Sequence, residues 1–335
     1  MSVRFLSCTV VLATVASLPA TPSVAAPAAL VHRALGTHLN VALADHRSVQ
    51  DAFVGLVVRR FGRQLKDGVD LWPQRPTYSL VALALPHSKW DVLELPAAMF
   101  DRGTREGLFE RLDSPVSTRA EGGGGFGKRA GYVQTGLAVT TSLGNKVPGW
   151  APLTDAKRFP GRRAIMDEAE GTLEAVLLSD GVAPATLYPL DVERALRALN
   201  RLGATSILWW KDEREVAKAA VGGGLAVAMV PVAMSFSPDW QRAGLTLTPG
   251  VSLIEGRWWV VPKGRQLTSD ITSFLTFVGS DRDPVWQRGY GVLSPLLLAG
   301  EASTGEASIR VDEAWWRLHR DSVTARWATW RRTGH

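Results

Sequence analysis

The acidic run Asp167-Glu168-Ala169-Glu170 stands directly before Gly171-Thr172 and an apolar helical segment. Carboxylates there can complement the positive end of a helix, or they can face a cleft and meet a cationic ligand; both readings stay open. Other groupings come near a motif and miss it. Gly122-Gly123-Gly124-Gly125-Phe126-Gly127-Lys128-Arg129 approximates a phosphate-cradling loop, but Arg129 stands where Ser or Thr must hold magnesium. Thr118-Arg119-Ala120-Glu121, rather than a buried strand, precedes it, so the run reads as a flexible surface loop. There is no Gly-x-Ser-x-Gly elbow and no His-Glu-x-x-His helix, and the six histidines form no pair at metal-ligand spacing. His46 alone follows a strand closely enough to sit where α/β folds bind ligands. The single cysteine, Cys8, supports neither a disulfide framework nor a thiolate metal site. No metal and no cofactor is expected.

The elements that would position these residues follow from hydrophobic period and punctuation. Residues 39–43 read as a first strand, and Ser48 opens an amphipathic helix with Val49, Phe53, Val57 and Phe61 stacked at four-residue spacing. Strands are expected over 90–95 and 132–141, with a helix over 104–112 between them. In the second half, Asp191 caps a helix whose Val192, Ala195, Leu196, Leu199 and Leu202 share a face, and Gly203 stops it. A strand at 206–210, a helix at 212–221, a buried strand at 225–230, a strand at 257–261 and a helix at 269–278 follow. Strands alternating with helices predict α/β layers with largely parallel sheets, without internal repeats. Of thirteen tryptophans, Trp316, Trp327 and Trp330 fall with Val323 on one face of a last helix, which should pack on a lobe.

The N-terminus carries an export signal. Arg4 precedes an apolar stretch over 5–18, and Ser23-Val24-Ala25 has the small-x-small pattern of a signal-peptidase site. Cys8 lies near the start of the apolar stretch, not after it, which argues against lipidation. Residues 1–25 are therefore read as a signal peptide, and no later run is long and apolar enough to span a bilayer. A net charge of +6 raises the question of nucleic acid, but Lys and Arg are interleaved with Asp and Glu and form no basic stripe. No nucleic-acid partner is expected.

Several segments, in order, resemble the solute-binding proteins of ABC importers, in particular the spermidine/putrescine-binding branch. They are Trp150-Ala151-Pro152-Leu153, Phe159-Pro160-Gly161-Arg162-Arg163-Ala164, Leu187-Tyr188-Pro189-Leu190-Asp191 and the Ala195-Leu196 helix. Trp209-Trp210, Ala226-Val227-Ala228-Met229, Trp258-Trp259-Val260-Val261-Pro262-Lys263-Gly264, Gly289-Tyr290-Gly291, Trp315-Trp316 and Arg326-Trp327 follow. The resemblance implies an α/β, bilobal periplasmic-binding-protein type II fold, with two mixed-sheet lobes joined by crossing hinge strands near 136–141 and 257–261. Residues 36–138 and 259–295 would form the first lobe, and residues 139–258 and 296–335 the second. It also implies a monomer that captures a small polar solute, polyamine-like or amino-acid-like, and delivers it to an ABC permease without chemistry.

The family's cleft acids fall on Asp167 and on Glu168 or Glu170, and its late tyrosine on Tyr290. Tyr132, at the head of the strand 132–141, and His46 complete the expected ligand contacts. Arg257 stands where polyamine binders place an aspartate, and Glu255 where they place an aromatic. Pro96-Ala97-Ala98 replaces their serine and tyrosine. A guanidinium at 257 repels ammonium and attracts carboxylate, so the residues point to a ligand of mixed charge, with Trp258 and Tyr290 as apolar walls. The rival readings are a periplasmic enzyme on a related bilobal scaffold, which needs a nucleophile–base pair or a metal set, and a structural protein using its tryptophans and basic surface.

Overall fold

The computed structural model describes residues 39–43, 69–71, 90–112, 123–141, 147, 149–236, 240, 242–249, 251–280, 292–293 and 307–333. The helix expected from Ser48 lies outside them. The strands are β1 Leu39–Leu43, β2 Val69–Leu71, β3 Val92–Pro96, β4 Lys128–Thr140, β5 Arg163–Met166, β6 Ile207–Trp210, β7 Val227–Pro231, β8 Leu245–Leu247, β9 Val251–Val260, β10 Val292–Leu293 and β11 Ala307–Arg310. The α-helices among the described residues are α1 Ala97–Arg105, α2 Thr172–Ser179, α3 Val192–Leu202, α4 Glu213–Val221, α5 Ser269–Ser280 and α6 Glu313–Thr333.

Local chemistry explains the boundaries of the second half. Asp191 Oδ1 accepts the Arg194 N–H at 2.9 Å, Asp212 Oδ1 accepts the Arg214 N–H at 2.9 Å, and Gly203, at φ +75°, closes α3. β5 and β7 are short and buried along their whole length, as parallel strands covered on both faces are. Arg163 in β5 is fully buried, yet Nε donates to the Leu153 carbonyl at 3.0 Å and its fork reaches the carbonyls of Gly161 and Phe159. The guanidinium thus staples the preceding loop to the sheet with its donors satisfied.

The helix expected over 104–112 lies elsewhere: it spans Ala97–Arg105 and starts directly after Pro96. Gly107, at φ +69°, turns the chain, and Phe109 leaves helical geometry to bridge Pro262. The ring of Phe109 lies where a side chain on Gly103 would stand, so tertiary packing overrides the helical pattern of this segment. The glycine run is likewise packed. A Cβ on Gly123 would meet the Trp258 ring at 2.6 Å, and one on Gly127 the Phe100 ring at 2.6 Å. Those glycines admit aromatic rings, which explains the run without any phosphate.

The path through the sheet is β2-β1-β3-β9-β4-β7-β5-β6, with β10 and β8 on β4 and β11 on β9. β1, β2 and β3 pair in parallel, as do β5, β6 and β7. β4 and β9 run antiparallel to each other and serve both groups. β9 offers Arg257 to Val260 to β3 and Val251 to Ile254 to β11, and β4 passes from β9 to β7 at Thr135. Each is longer than the strand its sequence suggests. The apolar residues sort accordingly: α5 packs with Val41, Val92 and Trp259, α1 with Leu95 and Trp258, and a large third cluster unites α2, α3, β5, β7 and α6. Trp316, Val323, Trp327 and Trp330 are the buried residues of α6, as their spacing predicts.

Candidate functional site

Strands β3 and β5 end facing the connection between the two parallel groups, and β9 carries Glu255-Gly256-Arg257 past both ends. Arg257 pairs with Pro96, the last residue of β3. Glu255 lies against Gly171, which ends the loop after β5. A crevice outside the carboxyl ends of parallel strands, where strand order reverses, is the usual ligand position of an open α/β sheet.

Gly171 makes the approach of Glu255 possible. Its φ of +79° suits glycine, and a Cβ there would lie 2.6 Å from Glu255 Oε1. The turn is fixed from below by the Gly171 N–H donating to Glu174 Oε2 at 2.8 Å and by Thr172 Oγ1 donating to the Met166 carbonyl at 3.0 Å. Glu168 and Glu170 project from this loop, within electrostatic reach of Glu255. Burial pushes the Glu255 carboxyl up to about 8, and the neighbouring acids reinforce the shift against the pull of Arg257. Arg257 is itself 5% exposed, with Nη1 at 3.5 Å from Glu255 Oε2. The Arg257 guanidinium therefore stands beside a carboxyl that burial favours in its neutral form.

The last helix closes the site from another side. Glu313, Arg317 and Arg320 recur at four- and three-residue spacing, which places them on one face of α6. Arg129 Nη1 donates to Glu313 Oε1 at 2.7 Å, and Arg317 Nε donates to Asp101 Oδ1 of α1 at 3.1 Å. Arg320 Nη1 donates to Glu170 Oε2, and Nη2 donates to Glu170 Oε1 at 3.1 Å. Beneath the loop, fully buried Glu174 accepts Tyr188 Oη–H and Trp316 Nε1–H, each at 2.6 Å. Burial raises its carboxyl to about 7 in spite of those donors.

The residues singled out from sequence separate into three groups. Glu168, Glu170 and Arg257 are brought together around Glu255. Asp167 is drawn away: its carboxylate meets Arg331 Nε at 2.9 Å and Lys211 Nζ at 3.5 Å. Burial works to raise that acid, but the two cations outweigh it and hold it below the usual range. Asp167 thus ties the end of β5 to the end of α6. Tyr132 and Trp258 also stand apart, because side chains alternate along a strand and Tyr132 pairs with Gly256, one residue off Glu255. Trp258 is core rather than cleft wall, stacked on Phe100 with centroids 4.4 Å apart. Tyr132 is buried between the guanidiniums of Arg129 and Arg310, at 5.1 and 5.0 Å from its ring. His46 and Tyr290 lie outside the described residues.

Sequence reasoning missed Glu255, Arg320 and Glu174 as parts of the site. A signal existed for the first, since Glu255 falls where polyamine binders place an aromatic. Arg320 gave none, because it pairs across 150 residues of chain.

Two half-sheets with shared antiparallel strands, and a charged crevice between their strand ends, define a bilobal binding protein. The profile of the bacterial extracellular solute-binding proteins matches residues 76–281, and the chain belongs to that family. It is the substrate-binding component of an ABC-type importer, which captures a solute between its lobes and hands it to a membrane permease. Among curated proteins it is similar to the gamma-aminobutyric acid-binding protein of Pseudomonas aeruginosa, 28% identical over 288 residues, covering 72% of this chain and 75% of the relative. Among solved structures, AgtB from A. tumefaciens R10 in complex with agropinic acid superposes with a TM-score of 0.72 at 22% identity, covering 88% of this chain and 99% of that one. An ABC transporter substrate-binding protein from Bradyrhizobium japonicum USDA 110 gives 0.73 at 22% identity, with the same coverage. No helix among the described residues is long and apolar enough to cross a membrane.

Proposed function

We propose that the solute is a small amino-carboxylate zwitterion, with its ammonium near the acids of the loop after β5 and its carboxylate near Arg257. The observation that carries this is the placement of Arg257 3.5 Å from Glu255, which lies within electrostatic reach of Glu168 and Glu170 in the loop after β5. A simple diamine needs a carboxylate at each end, and Arg257 opposes one of them. A dicarboxylate would meet Glu168 and Glu170. The Pseudomonas relative takes its name from gamma-aminobutyric acid, a molecule of the favoured charge pattern.

In this reading residues 36–138 and 259–295 form one lobe, residues 139–258 and 296–335 the other, and β4 and β9 are the hinge. The ligand drives closure through contacts it gains only in the closed state, and it leaves unchanged. The protein works as a monomer, without nucleic acid, after export with cleavage near Ala25. His46 and Tyr290 remain candidate contacts in the closed form.

Titration calorimetry against gamma-aminobutyric acid, putrescine and spermidine tests the ligand class. The amino acid should bind best. A charge-assisted contact contributes roughly 1.5–3 kcal/mol, so Arg257→Ala should weaken it about ten- to a hundredfold. Tight spermidine binding that is unchanged or improved in Arg257→Ala would refute the charge argument.

A further inference from the structure

The acid nearest the entrance of α2 is already occupied. Arg320 grips Glu170 with both Nη groups, and the two side chains are only 15% and 17% exposed. Its guanidinium carbon also lies 5.3 Å from the ring of Trp316, and Trp316 anchors α6 in the core. Arg320 Nε is buried without a hydrogen-bond partner, so the fork is aimed at Glu170 at the expense of its remaining donor. A bidentate guanidinium–carboxylate pair is much stronger than a single neutral hydrogen bond. A ligand ammonium displacing it would leave a largely buried guanidinium uncompensated, which is strongly unfavourable.

We propose that Arg320 is a specificity-determining residue, a resident counter-cation that neutralises Glu170 so that the site selects a molecule with one ammonium over a diamine. The inference rests on the amino-carboxylate reading above. The pair itself sets the sign of each perturbation: with Arg320 in place, Glu170 is satisfied within the protein. Removing Arg320 makes the crevice more negative by one charge, and removing the Glu170 charge makes it more positive by one.

The test is the ratio of dissociation constants for gamma-aminobutyric acid, putrescine and butyrate, measured by calorimetry on wild type, Arg320→Met, Arg320→Lys, Glu170→Gln and the double variant Glu170→Gln/Arg320→Met. Arg320→Met should shift the ratio toward putrescine about tenfold or more, at roughly 1.4 kcal/mol per decade. Glu170→Gln should shift it the other way, toward butyrate. Arg320→Lys, which keeps the charge, and the double variant, which removes both, should return to the wild-type preference. If Arg320→Met does not fold, the opposite shift in Glu170→Gln and the retained preference in Arg320→Lys still decide the matter. A ratio that stays put, or moves in the same direction in both single variants, overturns the role of Arg320 while wild-type preference for the amino acid stands. Wild type that prefers putrescine overturns the amino-carboxylate reading itself, and this proposal with it.

Discussion

Replacing Glu174 by glutamine should change how stability depends on pH, and the sign follows from its surroundings. Glu174 is fully buried, and its carboxyl is raised by burial from an ordinary value near 4.5 to about 7. A carboxyl with a higher pKa in the folded state binds its proton more tightly there than in the unfolded chain. Between pH 4.5 and 7 the native state therefore holds more protons, and stability falls as pH rises through that window. The interval is worth roughly 3 kcal/mol at about 1.4 kcal/mol per pH unit. Glutamine keeps an oxygen to accept Tyr188 Oη–H and Trp316 Nε1–H but does not titrate. Urea unfolding of the ligand-free protein at pH 5, 6, 7 and 8 should show Glu174→Gln gaining on wild type by about 3 kcal/mol across the range. Glu255, whose carboxyl burial pushes up to about 8, contributes to the slope that remains in the variant. Parallel curves, or wild type gaining on the variant as pH rises, would refute the assignment.

Other perturbations should be equally direct. Trp327 is buried on the inner face of α6 and packs edge-on to Trp209 at 5.5 Å; Trp327→Ala should cost about 3–5 kcal/mol in urea unfolding. Gly171→Ala places a methyl at φ +79° and 2.6 Å from Glu255 Oε1, so it should lose about 1–3 kcal/mol and weaken ligand binding, whereas Gly181→Ala should lose only the conformational part because nothing lies within 4 Å. Intact-mass measurement of protein recovered after export should show loss of about the first 25 residues, and a full-length product would refute the cleavage site.

Much of the second half was legible because its signals are local. Asp191 and Asp212 sit immediately before apolar faces of helical period, and both cap as their chemistry demands. β4 and β9 were legible only in part. Gly131, Gly136, Glu255, Gly256 and Arg257 depress the strand signal in the middle of both strands, although pairing with a neighbouring strand holds each of them extended. Residues 104–112 erred the other way. The helical spacing there is real, but the Leu112 N–H is held by the Gly125 carbonyl and Phe109 by Pro262, contacts no local window contains.

The site was harder to read because its charges are defined by their partners. Asp167, Glu168 and Glu170 are equivalent by residue type and spacing, yet three different fates await them. Asp167 meets a cation 164 residues on, and Glu170 one 150 residues on, while Glu168 stays among the acids around Glu255. The outcomes for Asp167 and Glu170 depend on α6, whose apolar stripe was legible and whose charged stripe was not. An apolar stripe of helical period implies burial whatever the partner, because burial is non-directional. A charged stripe implies nothing until the facing residues are known, since the same guanidinium on a solvated surface contributes little. Arg331 and Arg320 lie eleven residues apart on one helix, close to three turns, so docking the tryptophans fixes both at once. The aromatic face of α6 thereby determines which acid of the run after β5 is tied to Arg331 at the end of the sheet and which is paired with Arg320.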